Sequence, residues 1–338
     1  MQSPKQWEDL PDGFQVRATR MEDIEEAVDL FNACSIDMIG CPDHEAEVLH
    51  KIWETPNFDL DQSSRVVLDA NKKMVGVAEV WDVFDPPVHP LLFGRVHPDY
   101  EGLGIGSEML RWSIDRSKEV MKRVPADARV SARAFVISTY EPSKKLLEDH
   151  GFRTLRKTWQ MEIDLDEELP EPVWPDGISL RIFKHERDGE AVFRADLDAF
   201  RDHWGFIEEP FEHGYKRWLH DMIQDEEYDP NLWFIAVKGQ EIAGAALCRR
   251  RSWEDKDTGW VRSLFVRRLY RRQGLALALL HHSFREFQKR GKKHVRLGVD
   301  SQNLTGATSL YEKAGMRIKR QYDHYDFEMR PGKELAKT

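Results

Sequence analysis

The sequence has few cysteines and no long apolar run. Its three cysteines, Cys34, Cys41 and Cys248, are odd in number and form no C-x-x-C pair, which is typical of a reduced protein with inert thiols. No apolar run approaches the roughly 20 residues that a membrane helix requires. The first residues, MQSPKQWEDLPDG, lack the apolar stretch of a signal peptide. We therefore expect a cytoplasmic protein with no membrane partner.

The chain also lacks a positive balance and the usual nucleotide-binding motifs. Its 338 residues carry a net charge of −10, which argues against nucleic acid as a partner. GLGIGS (102–107) is not G-x-G-x-x-G, and no G-K-[ST] follows a glycine turn, so Rossmann and P-loop folds are disfavoured. With 41% hydrophobic and 33% charged residues, the composition is that of a globular protein of about two domains.

The chain contains an internal repeat. RVHPDYEGLGIGSEML (95–110) aligns with FVRRLYRRQGLALALL (265–280) at an offset of 170, and KKLLEDHGF (144–152) aligns with TSLYEKAGM (308–316) at an offset of 164. Two matches in the same order indicate a duplicated domain. We place an N-terminal domain at 1–165, an acidic, proline-containing linker at 166–177 and a C-terminal domain at 178–338.

Both copies have the same predicted layout. A strand and an amphipathic helix come first, and then SRVVLDANKKMVGVAEVW (64–81) or LWFIAVKGQEIAGAALC (232–248), which predicts an antiparallel hairpin around a tight turn. A glycine-bearing turn, a helix, a strand, a shorter helix and a closing strand follow. The fold class is therefore α/β (α+β), with two tandem domains that each contain a mixed, mostly antiparallel sheet flanked by helices.

The glycine turn of the second copy has the features of an anion site. WVRSLFV (260–266) is rich in β-branched and aromatic residues and predicts a strand, whereas YRRQGLALALL (270–280) predicts a basic turn that opens a helix. A helix N-terminus exposes unpaired N–H groups and the positive end of its dipole. Gly274 and the small Ala276 let a ligand approach that backbone closely. A phosphate-bearing ligand is expected there.

These features together resemble the GNAT superfamily of acyl-CoA-dependent N-acetyltransferases. The family signature is a strand, then [Q/R]-x-x-G-x-[G/A], then a helix, and RRQGLA (271–276) matches it in full. GVDSQNLTGATSLYEKAGM (298–316) is similar to the family's second region. The tandem layout is similar to bacterial two-domain acetyltransferases of the mycothiol-synthase type.

The resemblance implies acetyl-CoA as the acyl donor, a primary amine of a small molecule as the acceptor, and no metal. It implies that the turn holds the coenzyme diphosphate and that the preceding strand parts from its parallel neighbour, so that the pantetheine arm fills the gap. A backbone N–H near Phe265 or Val266 would then polarise the thioester carbonyl. The coenzyme-binding residues implied in this way are Leu264, Phe265, Val266, Arg271, Arg272, Gln273, Gly274, Leu275, Ala276, Leu277 and Asn303.

Two of the implied residues have alternative interpretations. Asn303 suits a hydrogen bond to the pantetheine arm but is equally a plain helix N-cap, and both roles are compatible. Tyr311, the implied catalytic residue, lies beside the thioester sulfur in the family, and the alternative is a core tyrosine. Because a phenol near pKa 10 faces a thiol near 8.5, full proton donation is uphill by roughly 2 kcal/mol. A hydrogen bond, or transfer concerted with C–S cleavage, is favoured.

The first copy departs from the family pattern at two positions. Glu101 occupies the [Q/R] position, where its charge opposes a diphosphate, and Leu147 occupies the tyrosine position. Gly102, Gly104 and Gly106 keep the turn permissive. We expect a degenerate domain that is structural or coenzyme-binding, and that packs against the C-terminal domain to shape its acceptor cleft.

The general base and the acceptor stay open at this point. Glu254 and Asp255 follow a strand, and FRDHWGFIEEPFEH (200–213), which contains His203, Trp204, Phe206 and Glu208, lies where the family shapes its acceptor pocket. The leading hypothesis is acetyl transfer in the C-terminal domain. The alternatives are a non-catalytic acyl-CoA-binding or sensor protein, and a mycothiol-synthase-like acetylation of a cysteine amine. The sequence leaves the oligomeric state open.

Overall fold

The computed structural model describes residue 7 and residues 9–166, 168–302 and 306–338. The chain forms two compact units. Unit 1 contains the described residues up to Leu155 together with Asp323–Leu335, and unit 2 contains Arg156–Tyr322 together with Ala336–Thr338. No helix among the described residues is long and apolar enough to cross a membrane.

Unit 1 is a twisted layer of strands with helices on both faces. In chain order its elements are β1 (Gln15–Arg17), α1 (Ile24–Ile39), α2 (Ala46–Trp53), α3 (Leu60–Ser63), β2 (Ser64–Leu68), β3 (Met74–Trp81), β4 (Leu91–Val96), α4 (Ile105–Ser117), β5 (Val130–Ile137) and α5 (Glu141–Asp149). Strands β1 to β4 are antiparallel neighbours in that order, whereas β5 runs parallel to β4. Because side chains alternate along β2, Val66 packs in the core with α1 and Val67 packs in the core with α4.

Unit 2 repeats this order of elements. After β6 (Arg153–Asp164), its elements are β7 (Ile178–Ile182), α6 (His185–Phe200), α7 (Phe211–Trp218), β8 (Tyr228–Lys238), β9 (Glu241–Arg249), β10 (Thr258–Val266), α8 (Leu275–Lys289), β11 (His294–Asp300), α9 (Ala307–Lys313) and the first part of β12 (Arg317–Arg330). The strands β7 to β10 are antiparallel neighbours, and β11 runs parallel to β10. A core with α8 lies on one face of this sheet and a core with α6 and α7 lies on the other. The predicted fold class, with mostly antiparallel sheets flanked by helices, is confirmed.

The closing strand of each sequence repeat lies in the unit formed by the other repeat. β6, which ends the first sequence repeat, lies antiparallel to β11 of unit 2, from Asp164 opposite His294 to Thr158 opposite Asp300. The C-terminal part of β12, which ends the second repeat, is the neighbour of β5 in the sheet of unit 1. Both strands alternate in period two, so Met161 fills the core of unit 2 and Tyr325 fills the core of unit 1. The domain boundaries predicted at 165 and 178 follow the sequence repeat. They do not account for this exchange of closing strands between the units.

An aspartate anchors the start of the first long helix in each unit, just before α1 and within the first turn of α6. Asp23 accepts hydrogen bonds from the Arg17 guanidinium (2.6 and 2.7 Å) and from the Arg20 backbone N–H (2.7 Å). Asp188 accepts hydrogen bonds from the Arg181 guanidinium (2.6 Å) and from the backbone N–H of residue 184 (2.8 Å). The two aspartates therefore align α1 with α6, although Arg17 lies six residues before Asp23 and Arg181 lies seven residues before Asp188.

Candidate functional site

The candidate site lies where two parallel strands of unit 2 part. β10 and β11 pair only through Thr258–Trp260 and His294–Arg296, although β10 stays paired with β9 as far as Val266. The other edge of β10 therefore opens into a gap. A cavity of about 760 Å³ fills it, a volume within the range of small-molecule sites. Its walls include Val261–Val266 of β10, Leu297–Asp300 of β11 and Ser309–Tyr311 of α9. The end of α6 (Ala199 and Phe200) and His203 in the following loop also line it.

The glycine turn forms one wall of this cavity. Gly274 precedes α8 with a φ of 85°, in the left-handed region that favours glycine. No atom lies within 4 Å of the position that a Cβ on Gly274 would take, so a ligand has room to approach the backbone. The first N–H groups of α8 have no intrahelical acceptor, and the helix dipole is positive at this end. The geometry of the turn is therefore compatible with the predicted anion site.

Most residues predicted to bind the coenzyme line the cavity. They are Leu264, Phe265, Val266, Arg271, Arg272, Gly274, Leu275, Ala276 and Leu277. Gln273 is not among the lining residues, and its Nε2 donates to the Leu269 carbonyl oxygen instead (3.2 Å). Asn303 lies outside the described residues. The geometry is thus compatible with the predicted set except at Gln273, while their role in binding stays a prediction.

Arg271 has a structural task besides its charge. Its Nε donates to the Val266 carbonyl oxygen (3.0 Å), and its Nη2 donates to the Ala199 carbonyl oxygen (2.7 Å). The guanidinium therefore fastens the turn to the end of β10 and to the end of α6. Its positive charge stays beside the cavity, but two of its five donors are already used.

Tyr311 lies in the wall of the cavity opposite β10. The side chain is buried, on α9, and its hydroxyl hydrogen-bonds to no described residue. Burial raises the pKa of Tyr311 to about 12. The gap to a thiol near 8.5 is then about 3.5, or roughly 5 kcal/mol. Proton donation to a free thiolate is therefore uphill, so a hydrogen bond, or transfer concerted with C–S cleavage, stays the predicted role of this phenol.

The structure adds a carboxylate that the sequence patterns did not single out. Asp196 of α6 accepts a hydrogen bond from the Ser263 hydroxyl (2.7 Å), and Ser263 lines the cavity. Burial raises the pKa of Asp196 to about 6, and the hydrogen bond from Ser263 opposes that shift in part. The nearby cations have other partners, since Arg262 pairs with Asp225 and Arg267 pairs with Asp198.

The repeat carries the signal that would have found Asp196. Phe31 lies eight residues after Asp23, and Asp196 lies eight residues after Asp188. Phe93 and Ser263 are equivalent by the repeat of the sequence. Unit 1 has an edge-to-face aromatic pair, Phe31–Phe93, with ring centroids 5.4 Å apart. Unit 2 has a carboxylate and a hydroxyl at the same positions.

The acidic candidates noted after β9 are engaged elsewhere. Glu254 accepts from Arg296 Nη1 (2.8 Å) and is also paired with Arg320. Asp255 accepts from the Thr258 hydroxyl (2.6 Å) within its own turn, and hydrogen bonds hold the pKa of its carboxyl below the usual value despite partial burial. A carboxylate held in this way is a poor proton acceptor. These two candidates are therefore disfavoured as bases.

The loop after α6 contributes one residue to the cavity. His203 lines it, and burial together with the nearby Arg271 lowers the pKa of its imidazole. The indole of Trp204 lies under the Arg156 guanidinium (4.8 Å). Glu208 is exposed, with its carboxylate 3.7 Å from Arg201. Of the predicted loop residues, His203 is the one that reaches the cavity.

One cluster in unit 2 combines potential metal ligands: Glu162, Asp164 and His294. Its carboxylates are already ion-paired, Glu162 with Arg296 (2.6 Å) and Asp164 with Arg317 (2.7 Å). Arginine occupies the positions that a cation would need, so the donor set does not fit a metal ion.

The equivalent turn of unit 1 has oxygen atoms of the protein beside it. The Glu101 carboxylate accepts a hydrogen bond from the Tyr140 hydroxyl (2.5 Å). The Asp9 carbonyl oxygen lies 3.4 Å from the position of a Cβ on Gly104. Leu147, at the position of Tyr311, is buried in the core of unit 1. Acidic and carbonyl oxygens thus face the turn where unit 2 offers open backbone N–H groups.

Comparisons with known proteins agree with this architecture. A sequence model of the acetyltransferase (GNAT) family matches residues 25–152 and 190–316. The chain is 27% identical over 242 residues to mycothiol acetyltransferase from Thermobispora bispora, covering 68% of this chain and 72% of that protein. It is 30% identical over 244 residues to mycothiol acetyltransferase from Salinispora arenicola, covering 69% of this chain and 72% of that protein.

Solved structures share the tandem fold. The GCN5-related N-acetyltransferase from Sphaerobacter thermophilus covers 97% of this chain and 100% of its own, with 35% identity and a TM-score of 0.78. The tandem GNAT protein from the clavulanic acid biosynthesis pathway covers 95% of this chain and 100% of its own, with 14% identity and a TM-score of 0.67. The second likeness shows the fold alone. The predicted tandem architecture is confirmed.

Proposed function

The chain belongs to the GNAT acetyltransferase family and is an N-acetyltransferase, and we propose that unit 2 transfers an acetyl group from acetyl-CoA to the primary amine of a small molecule. The observation that carries this proposal is the parting of β10 from β11. The gap unites the open Gly274 turn, the Tyr311 phenol and the Asp196–Ser263 pair around one cavity. Unit 1 has leucine and an aromatic pair at the equivalent positions.

The cavity fits the coenzyme by shape and by charge. The backbone N–H groups of residues 272–277 would hold the diphosphate, since Gly274 leaves room beside them. The unpaired edge of β10 at Leu264–Val266 would bind the pantetheine amides as an added strand does. When bound, the thioester supplies an acyl carbon that an amine can attack. A β10 backbone N–H would polarise its carbonyl oxygen.

Asp196 is the proton acceptor that we assign to this site. An amine that attacks a carbonyl carbon becomes acidic as the new C–N bond forms, so a base must remove a proton. Asp196 reaches the cavity through the Ser263 hydroxyl, 2.7 Å away. With a pKa of about 6 it is ionised at neutral pH and is more basic than an ordinary carboxylate. Ser263 relays the proton or positions the amine.

The relatives favour one class of acceptor. Mycothiol acetyltransferases match this chain at 27% and 30% identity over about two thirds of its length. A mycothiol-synthase-like acetylation of a cysteine amine is therefore the second candidate function. A substrate panel that includes cysteine-containing thiol precursors separates it from acetylation of other small amines.

The turn glycines test which unit holds the coenzyme. Gly274→Asp places a negative charge beside the diphosphate, so we expect calorimetry to show coenzyme A binding at least tenfold weaker. Gly104→Asp is the matched control. Both glycines have a φ near 80°, so an aspartate introduces similar backbone strain at either position. Equal losses in both variants, or a loss in Gly104→Asp alone, would reverse the assignment.

Tyr311→Phe tests the phenol. We expect kcat to fall about 10- to 100-fold while the dissociation constant of coenzyme A stays the same, because the hydroxyl matters as charge develops on sulfur. Tyr325→Phe, a buried tyrosine of unit 1 whose hydroxyl donates to Glu148 (2.8 Å), is the control. Unchanged kcat in Tyr311→Phe, with chemistry rate-limiting, would return Tyr311 to a packing role.

Asp196→Asn tests the proton acceptor. The base acts when deprotonated, so the wild-type kcat/KM should fall as the pH drops through about 6. The variant should lose about 100-fold in rate and should lose this acid limb. Asp198→Asn, whose carboxylate pairs with Arg267 (3.0 Å), should keep both. An acid limb that persists in Asp196→Asn and disappears in His203→Gln would transfer the role to His203.

A further inference from the structure

Unit 1 contains a second cavity at the equivalent place. β4 and β5 pair only through Leu91 and Arg133. The gap beyond holds a cavity of about 430 Å³, which is large enough for a small organic molecule. Most of its walls are apolar: Met38, Ala78, Leu92, Phe93, Val96, Ile105, Met109, Phe135, Val136, Leu146 and Leu147.

One cation faces this apolar cavity without a counter-ion. Arg95 lies in the cavity wall, with its guanidinium carbon 4.5 Å from the centre of the Phe93 ring. Its Nη1 donates to the Gly94 carbonyl oxygen (3.0 Å), while its Nε is buried and hydrogen-bonds to no described atom. Arg95 ion-pairs with no described residue. At the equivalent position unit 2 has Phe265, a core residue.

The acids around Arg95 are committed to other groups. Asp43 binds His44 (2.5 Å) and the Ser35 hydroxyl (2.5 Å). Glu79 accepts from the indole N–H groups of Trp53 and Trp81 (2.7 and 2.8 Å). Burial raises the pKa of the Cys34 thiol to about 11, so it stays neutral at pH 7. A partly desolvated guanidinium without a partner costs free energy that a bound anion would offset.

A diphosphate does not suit this cavity. Glu101 and Tyr140 hydrogen-bond to each other between the segment after β4 and the segment after β5. The Asp9 carbonyl oxygen lies over Gly104, and the Asp9 carboxylate is held by Arg111 (2.8 Å). These oxygens repel phosphate groups at the turn, whereas Arg95 lies on β4, in the wall of the cavity.

We propose that the cavity of unit 1 binds a small organic anion, a carboxylate or phosphate monoester on an apolar body, with Arg95 as its counter-ion. The anionic group pairs with the Arg95 guanidinium in the cavity wall, and the apolar body lies between β4 and β5. Unit 1 is then a ligand-binding unit for a compound other than coenzyme A. This assignment does not depend on acetyl transfer, because binding is measured without acetyl-CoA.

Calorimetry with defined probes tests the proposal. Benzoate, 3-phenylpropionate and phenyl phosphate represent the two kinds of anion, and benzamide is the neutral match for benzoate. We expect at least one anion to bind with a dissociation constant below about 1 mM, and benzamide to bind at least tenfold more weakly than benzoate. Arg95→Met should weaken binding of the anions at least tenfold, whereas Arg20→Met, which replaces an exposed arginine, should leave their affinity unchanged. Saturating coenzyme A should not displace them.

Three results would overturn the proposal. They are the absence of binding by every anion up to about 10 mM, equal affinity in Arg95→Met, and displacement of the anion by coenzyme A. Thermal unfolding supplies an independent readout. An arginine kept for a ligand leaves Arg95→Met as stable as the wild type or more stable, since methionine fits an apolar wall. A lower melting temperature for Arg95→Met would make Arg95 a structural residue.

Discussion

The parting of two parallel strands is the constraint on which the rest of the site depends. Strands β10 and β11 are held together by three residue pairs and then diverge, because β10 follows β9 while β11 follows β6. An open strand edge inside a domain leaves backbone polar groups that require partners. In our proposal, a ligand that lies along this edge as an extended strand satisfies them, and the turn that follows β10 holds its anionic end.

The two units share this constraint and differ in what surrounds it. In unit 2 the gap meets a hydroxyl–carboxylate pair, a phenol and an open glycine turn. In unit 1 it meets an aromatic pair, a leucine and a turn faced by acidic oxygens. Two exchanges, Phe31 for Asp196 and Phe93 for Ser263, replace an aromatic contact by a hydrogen-bonded carboxylate and hydroxyl. Duplication thus gives one cleft suited to acyl transfer and another with an unpaired cation.

The sequence predicts the parts of this structure that arise from local patterns. Period-two alternation and turn residues identify the hairpins, and RRQGLA identifies the glycine turn between β10 and α8. Asp196 escapes because its role depends on a contact with Ser263, 67 residues away. Glu254 stays an open candidate in the sequence for the same reason, since its partners Arg296 and Arg320 lie far along the chain. The crossed assignment of β6 and β12 is equally non-local, because both closing strands show the same alternation.

A crystal structure with coenzyme A tests the central claim most directly. The account predicts coenzyme density in the gap between β10 and β11, with the diphosphate at Gly274 and the sulfur within hydrogen-bonding reach of the Tyr311 hydroxyl. It also predicts that the side of the thioester from which the amine attacks faces Ser263. Coenzyme density only in the gap between β4 and β5, or a sulfur directed away from both Tyr311 and Ser263, would contradict it.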